Sequence, residues 1–345
     1  MKVAAYYGPN NIRIEDQPVP QIGAREVLVR VTACGLCGTD LHKYAHHTVP
    51  DGTVLGHEVV GVIAKAGGEV KHLAEGERVI VFHHIPCFVC SYCRRGNHSM
   101  CAAFKPVNIA PGGFAEYLRV SGTSVANGIL KVPDHVTDTE AAVVELAACC
   151  LRAILRCRIE PGVRVAVVGC GPVGLVHIQL VKALGAGPII GIDVIADRLA
   201  AARRSGAAAA ANPAEGNVAA QVEKALGGSL AQVVILAAGN AKAIGTAFEV
   251  VDKGGLISFF AECPAGSQFP LDPNLLYHKE LTLAGSYSSS PFDQRMALEL
   301  VSAGRVQFAE LVTDVFPLSE TQKAFDLAQS PGRSLKIVIS DSLSR

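Results

Sequence analysis

Apolar and polar residues alternate along residues 26–32 (Glu-Val-Leu-Val-Arg-Val-Thr), the period-two pattern of a half-buried strand. Residues 59–66 and 77–82 repeat the pattern, with Gly67-Gly68 and Glu75-Gly76 as turns. This part of the chain predicts short strands in a largely β domain. A different pattern begins at residues 162–168, a near-continuous apolar run that leads into a helix over 175–184. Further strand-like runs fall at 188–192, 207–211, 232–237, 255–260 and 281–286, with helical stretches between them. That alternation predicts an α/β fold with a doubly wound parallel sheet. Beyond it, 294–304 reads as an amphipathic helix. Residues 313–316 and 335–340 read as strands, with a helix over 320–329 between them. These late elements are expected to return to the first domain. The organisation is then 1–150 with 288–345 as one domain and 151–287 as the other.

The 345 residues suffice for two cores, and half of them are hydrophobic. Lysine plus arginine and aspartate plus glutamate number 31 each, with no long basic run. Nothing in that balance fits nucleic acid or a membrane surface as a partner. The first residues lack the apolar core of a signal peptide, and no apolar run reaches about 18 residues. The expectation is a soluble, cytoplasmic protein. Eleven cysteines, an odd total, fit reduced thiols and metal binding better than a disulfide framework.

Chemistry concentrates in four places. Cys37-Gly38-Thr39-Asp40-Leu41-His42 is followed, fourteen residues on, by Gly56-His57-Glu58. A thiol, an imidazole and a carboxylate make a set of zinc ligands, and a catalytic zinc takes three protein ligands with one position open. Thr39 and His42, three apart, share one helix face. Taken singly, Cys37 reads more simply as a small buried hydrophobe and His57 as a core histidine, and it is their combination that favours metal ligands. Second, Cys87, Cys90, Cys93 and Cys101 lie close enough to wrap one zinc tetrahedrally in a closed, structural site. His83 and His84 just before them read as ligands or pocket residues, or more simply as paired surface or second-shell histidines. Phe114, at a strand start, reads as core. Third, Thr137-Asp138-Thr139-Glu140 fits a capping box opening a helix to about Cys157. Glu145 on this mainly apolar helix either points to solvent or faces the metal, directly or through its water. Fourth, Gly169-Cys170-Gly171-Pro172-Val173-Gly174 joins a strand to a helix. That context suits close approach of the backbone to a pyrophosphate at the helix N-terminus. Asp193 ends the next strand, nineteen residues past Gly174, where an acid bonds the adenosine ribose and disfavours the extra phosphate of NADP. Gly169, Gly171, Pro172, Val173, Gly174 and Asp193 are thus the candidate cofactor residues, with NAD preferred. Arg198 nearby is expected along the adenine.

From end to end the chain resembles the zinc-dependent medium-chain dehydrogenases. The matching stretches are Cys37–His42, Gly56–Glu58, the four-cysteine loop, Gly112-Gly113-Phe114-Ala115-Glu116-Tyr117, the glycine loop and Asp193. The Glu145 motif, Asp272-Pro273-Asn274-Leu275 and Ser334-Leu335-Lys336-Ile337-Val338 are similar to the sorbitol (iditol) and threonine dehydrogenase branch. The resemblance implies a GroES-like β domain interrupted by a Rossmann domain, with the active site in the cleft between them. It implies two zinc ions per chain. Cys37, His57 and Glu58 would hold the catalytic one, with Glu145 at the fourth position. Cys87, Cys90, Cys93 and Cys101 would hold the structural one. Thr39 would bond the substrate hydroxyl, His42 would pass its proton to solvent, and Asp40 would orient His57. The partner is a small alcohol or ketone, and the family habit is a homotetramer or homodimer. Where sorbitol dehydrogenases tend to carry an arginine past the sixth strand, this chain has Ser286-Tyr287-Ser288-Ser289-Ser290-Pro291. Sugar-derived and cyclitol alcohols therefore stand beside the polyols as substrates. Threonine or a simple secondary alcohol is the alternative within the same chemistry. A dinucleotide-binding sensor with structural zinc only is the alternative outside it.

Overall fold

The computed structural model describes residues 1–341 apart from Val107, Arg158, Pro331 and Arg333. The chain forms two compact units, Met1–Ala148 with Ser289–Arg345, and Cys149–Ser288.

In the first unit one sheet runs in the order Val312–Phe316, Lys336–Ile339, Val27–Gly35, Glu58–Ala66, Arg78–Val81 and Ile129–Lys131. Val27–Gly35 organises it. Val27 and Val29 point into the core while Arg30 is exposed, so the alternation in the sequence is realised as a two-faced strand. Tyr117–Val120 also pairs with it, and Ile109–Ala110 pairs with Tyr117–Val120. A smaller antiparallel sheet joins Ile12–Asp16, Lys2–Tyr6 and Thr53–Val54. Val3, Tyr6, Val59, Leu118 and Phe325 close the core, and Phe114 belongs to it, its ring edge-on to Phe325 at 5.8 Å.

The late strand Lys336–Ile339 lies antiparallel to Val27–Gly35, with Val338 opposite Gly35. On its other side Gly35 stands opposite Glu58. Residues from three distant parts of the sequence are thereby neighbours.

The structure corrects one expectation here. Thr137 caps with Glu140 in a full capping box, but the helix it opens is only Asp138–Ala142. The chain turns at Val143, whose N–H bonds back to the Glu140 carbonyl at 3.0 Å, and a second helix runs over Val144–Arg156. Val143 and Val144 are both fully buried, so packing, which no capping signal records, sets the break.

In the second unit six parallel strands stand in the order Ala209–Ala211, Ile189–Ile192, Val165–Val168, Ala231–Leu236, Val251–Phe259 and Thr282–Gly285. This is the doubly wound order, with the first strand at the centre and the direction of winding reversing beside it. All four residues of Val165–Val168 are buried, which accounts for its unbroken apolar run. Among the described residues no helix is long and apolar enough to cross a membrane.

Candidate functional site

Cys37 is the N-cap of the helix Gly38–His46. Its Sγ accepts the Thr39 N–H at 3.5 Å, and the Asp40 carboxylate accepts the Cys37 N–H at 3.2 Å. This is a capping box with a thiol where a hydroxyl usually stands. The cap fixes Cys37 at the helix start and turns Asp40 inward, where it is fully buried. Asp40 Oδ1 accepts the Gly56 N–H at 3.3 Å and lies 3.3 Å from Nδ1 of the next residue, His57. The His57 ring also hydrogen-bonds Cys37. Burial works against a charged ring, yet Asp40 and then Cys37 hold His57 well above the ordinary imidazole range. Burial likewise opposes ionisation of Asp40, and His57 overrides it, keeping that carboxyl below its usual value. Thr39 and His42 are exposed on the same helix, and the His42 ring is 4.6 Å from that of His46.

Glu58 and Glu145 are both buried, at 1% and 6% exposure, so Glu145 does not point to solvent. Glu58 Oε2 is ion-paired with the ammonium of Lys336, itself 3% exposed. Lys336 Nζ also donates to the Leu36 carbonyl at 3.0 Å. Burial alone would drive this amine toward neutrality. Glu58 first, then Cys37 and Glu145, hold it charged and above its ordinary value. Three candidate residues, Glu58, Cys37 and Glu145, therefore bear on one lysine to which the sequence analysis assigned no role. It lies in the stretch Ser334–Val338 that carries part of the resemblance, where it is the lone cation of an apolar strand.

His83 packs against His57, with ring centroids 4.9 Å apart, and against His84 at 3.9 Å. At 7% exposure His83 is not a surface residue. Burial, reinforced by His57, pushes His83 well below its usual value and His84 down to about 4, so both are neutral near pH 7.

The Sγ atoms of Cys87, Cys90, Cys93 and Cys101 all lie within 4.8 Å of one another. A tetrahedral zinc with bonds of about 2.3 Å separates its sulfurs by about 3.8 Å, so these four fit one ion. The Cys90 N–H points at Cys87 Sγ at 3.4 Å, and the Cys87 N–H at Cys101 Sγ at 3.3 Å. Backbone N–H groups of Val89 and Cys90 bring the Cys87 thiol down to about 6, the direction a thiolate ligand needs. Phe88 takes φ +60 to close this turn.

Among the described residues this is the only group of three or more such side chains whose ligand atoms converge so closely. Cys37 and His57 are in contact, but neither Glu58 nor Glu145 completes a comparable set with them. The donor chemistry of Cys37, His57 and a buried carboxylate still fits a catalytic zinc, with one ligand short of convergence.

In the second unit Gly169 takes φ +97 and the helix Pro172–Ala183 starts with Gly171 as a cap that makes no side-chain bond. A Cβ on Gly174 would sit 1.8 Å from the Gly169 carbonyl, so strand and helix meet there only because both are glycine. Asp193 Oδ2 accepts the Cys170 N–H at 2.7 Å, and Oδ1 accepts that of Ile195 at 3.0 Å. Arg198 Nη1 is 3.9 Å from Asp193, and the guanidinium is 3.9 Å from where a Gly171 Cβ would stand. Asp193 and Arg198 thus flank a glycine loop that opens on a helix N-terminus, an arrangement that fits a dinucleotide.

Comparison with known proteins adds the following. The alcohol dehydrogenase GroES-like domain model matches residues 23–134, and the zinc-binding dehydrogenase model matches 172–303. A sorbitol dehydrogenase of Bacillus subtilis (strain 168) is 31% identical over 98% of this chain and 97% of its own length. An L-threonine 3-dehydrogenase of Anaeromyxobacter dehalogenans (strain 2CP-C) is 31% identical over 96% and 95%. The solved structure of alcohol dehydrogenase TADH from Thermus sp. ATN1 superposes with a TM-score of 0.88, at 28% identity, over 99% of both chains.

Proposed function

This chain is a member of the zinc-binding alcohol dehydrogenase family, and on that premise we propose that it oxidises a secondary alcohol of polyol, sugar-derived or cyclitol type with NAD. One observation carries the reading: Cys37 and His57 touch, with Asp40 buried behind the imidazole. Cys37, His57 and one of the carboxylates Glu58 and Glu145 would hold the catalytic zinc. Cys87, Cys90, Cys93 and Cys101 would hold the structural one. When bound, zinc supplies a Lewis acid for the substrate hydroxyl and the nicotinamide supplies the hydride acceptor.

The side chains do the rest. Asp40 accepts a hydrogen bond from Nδ1–H of His57 and so would leave Nε2 as the ligating nitrogen. Thr39 would receive the hydroxyl proton, and His42, exposed three residues on, would pass it to water. Gly169, Gly171, Pro172, Val173 and Gly174 would cradle the pyrophosphate, Asp193 the adenosine ribose and Arg198 the adenine.

The test is NADH absorbance with the zinc-loaded protein against polyols, cyclitols, amino alcohols and simple alcohols. Turnover on polyols or cyclitols is expected, and silence on all secondary alcohols would overturn the reading. Similarity to an L-threonine 3-dehydrogenase favours a second substrate class. Preference for an amino alcohol in the same panel would decide for it. We also propose a cytoplasmic homodimer or homotetramer. All eleven cysteines are free thiols, which suits a reducing compartment, and light scattering reads the assembly.

A further inference from the structure

The helix Gly38–His46 carries a second pair of metal-binding side chains, apart from the contact of Cys37 with His57. His42 and His46 are four residues apart, so the helical period sets them one above the other on a single face. Both are exposed. Their ring centroids are 4.6 Å apart and their planes are inclined by 46°. Among the described residues neither ring makes a hydrogen bond or an ion pair. His47, next in the chain, stands outside the pair. It leaves the helix as a left-handed cap with φ +50, its Nε2 lies 3.6 Å from Asp51, and its ring meets Tyr6 edge-on at 5.7 Å.

The ring spacing is that of a chelate. An ion about 2.0–2.1 Å from one nitrogen of each ring, at an angle of about 90–110°, sets the ring centres about 4.5–5.2 Å apart. The observed 4.6 Å lies at the right-angle end of that range, which suits the tetragonal preference of nickel(II) and copper(II) more than tetrahedral zinc. His46 is also in the last helical turn, where unpaired carbonyls present partial negative charge to a cation.

We infer that His42 and His46 chelate a further divalent transition-metal ion on the helix surface, and that this ion inhibits the enzyme. Its bond to His42 occupies the ring nitrogen that would otherwise take the substrate proton on to water. Water completes the coordination, so the ion is exposed and removable. The inhibition rests on the proton-relay reading above, whereas the chelate rests only on the two imidazoles.

The test titrates nickel(II) into the full zinc-loaded chain. Nickel and zinc per chain are counted after equilibrium dialysis, and NADH formation is followed alongside. The expected result is one nickel per chain with the resident zinc retained. Turnover falls as the nickel binds and recovers when a chelator removes it. H46Q, which lies outside the relay, is expected to keep its basal turnover, lose the nickel and resist the inhibition. Equal nickel binding by H46Q overturns the inference, and so does a wild type that binds none in excess nickel. Nickel gained at the expense of zinc is exchange at a zinc site and overturns it too. Nickel that binds through His46 but leaves turnover unchanged overturns the inhibition. H42Q separates this from the relay reading. It should lose the nickel and also turn over slowly before any nickel is added. A wild-type rate in H42Q sinks the relay, while its nickel count still decides the chelate.

Discussion

Nδ1 of His57 lies 3.3 Å from Oδ1 of Asp40, and the Asp40 side chain is fully buried. The same carboxylate accepts the N–H groups of Cys37 and Gly56, so a single acid fixes both stretches that carry the proposed ligands. A metal-ligating imidazole needs its second nitrogen held, because that bond sets the tautomer and the ring direction. Asp40→Ala is expected to weaken metal retention at this site and lower kcat, each by about 10–100-fold. The four-cysteine zinc should stay in place. Metal analysis alongside kinetics checks this, and equal loss of both ions would mean that Asp40 acts only on folding.

The loop around Cys87 has little apolar material: its cluster is Cys93, Cys101 and Phe104, with Cys90 against it. Bound metal therefore supplies ordering that a core does not. Cys93→Ser should lower the zinc content from two per chain to one. It should cost on the order of 2 kcal/mol, which moves Tm by about 4–8 °C. A melting temperature equal to that of the wild type would remove the structural-zinc proposal.

Elements whose parts are adjacent in the chain were legible from the sequence. The four cysteines sit within one loop, and the glycine turn announces its strand and helix by apolar period. The pairing of Lys336 with Glu58 was not legible, because it depends on Lys336–Ile339 docking beside Gly35, and no local pattern states strand order. The same holds for His83. Its neighbourhood to His57 follows from Arg78–Val81 pairing with Glu58–Ala66, which leaves the next residues beside the metal motif. The turn at Val143 was hidden for a different reason. Its residues are ordinary helix material, and burial of two consecutive valines decides the geometry.

Phe88 closes the Cys87–Cys90 turn at φ +60, where a bulky side chain is strained by roughly 1–2 kcal/mol. Its ring is held in compensation by Phe292, 5.7 Å away, and His98, 6.0 Å away. Removing the ring and relieving the strain are separable. Phe88→Ala loses the contacts and keeps the strain, whereas Phe88→Gly loses both. The glycine variant should therefore be more stable than the alanine variant by about 1 kcal/mol, read by denaturant unfolding. Equal stabilities would show that the turn relaxes in solution.

His177 lies on the helix Pro172–Ala183 with no exposed surface. Its Nδ1 donates to the Val173 carbonyl at 2.9 Å, Nε2 has no hydrogen-bond partner among the described residues, and Phe260 meets the ring edge-on at 4.7 Å. Burial brings its pKa down to about 4. The unfolded chain titrates near 6.5, so the folded state binds fewer protons between those values. Stability is complete above about pH 6.5 and falls as pH drops toward 4. His177→Leu removes this dependence. Between pH 7 and pH 5 the stability of the variant relative to wild type should rise by about 2 kcal/mol. Urea unfolding of both proteins at the two pH values gives the difference, and a constant gap would mean that the ring finds a proton acceptor when charged.

Asp193 would serve two functions in the proposed cofactor site, and one substitution can separate them. Its oxygens accept the Cys170 and Ile195 N–H groups and so hold the glycine loop against the strand end. In the proposed mode of cofactor binding its charge would also face the added phosphate of NADP, and Arg198 Nη1 stands 3.9 Å from it. Asp193→Asn keeps a hydrogen-bonding oxygen while removing the negative charge. The ratio of kcat/KM for NADP over NAD should then rise at least about tenfold, since repulsion of the phosphate is lost and the guanidinium is released toward it. Adding Arg198→Ala should cancel most of that gain. If the single variant loses both cofactors equally, the hydrogen bonds outweigh the charge. If the gain survives without Arg198, the discrimination comes from Asp193 alone.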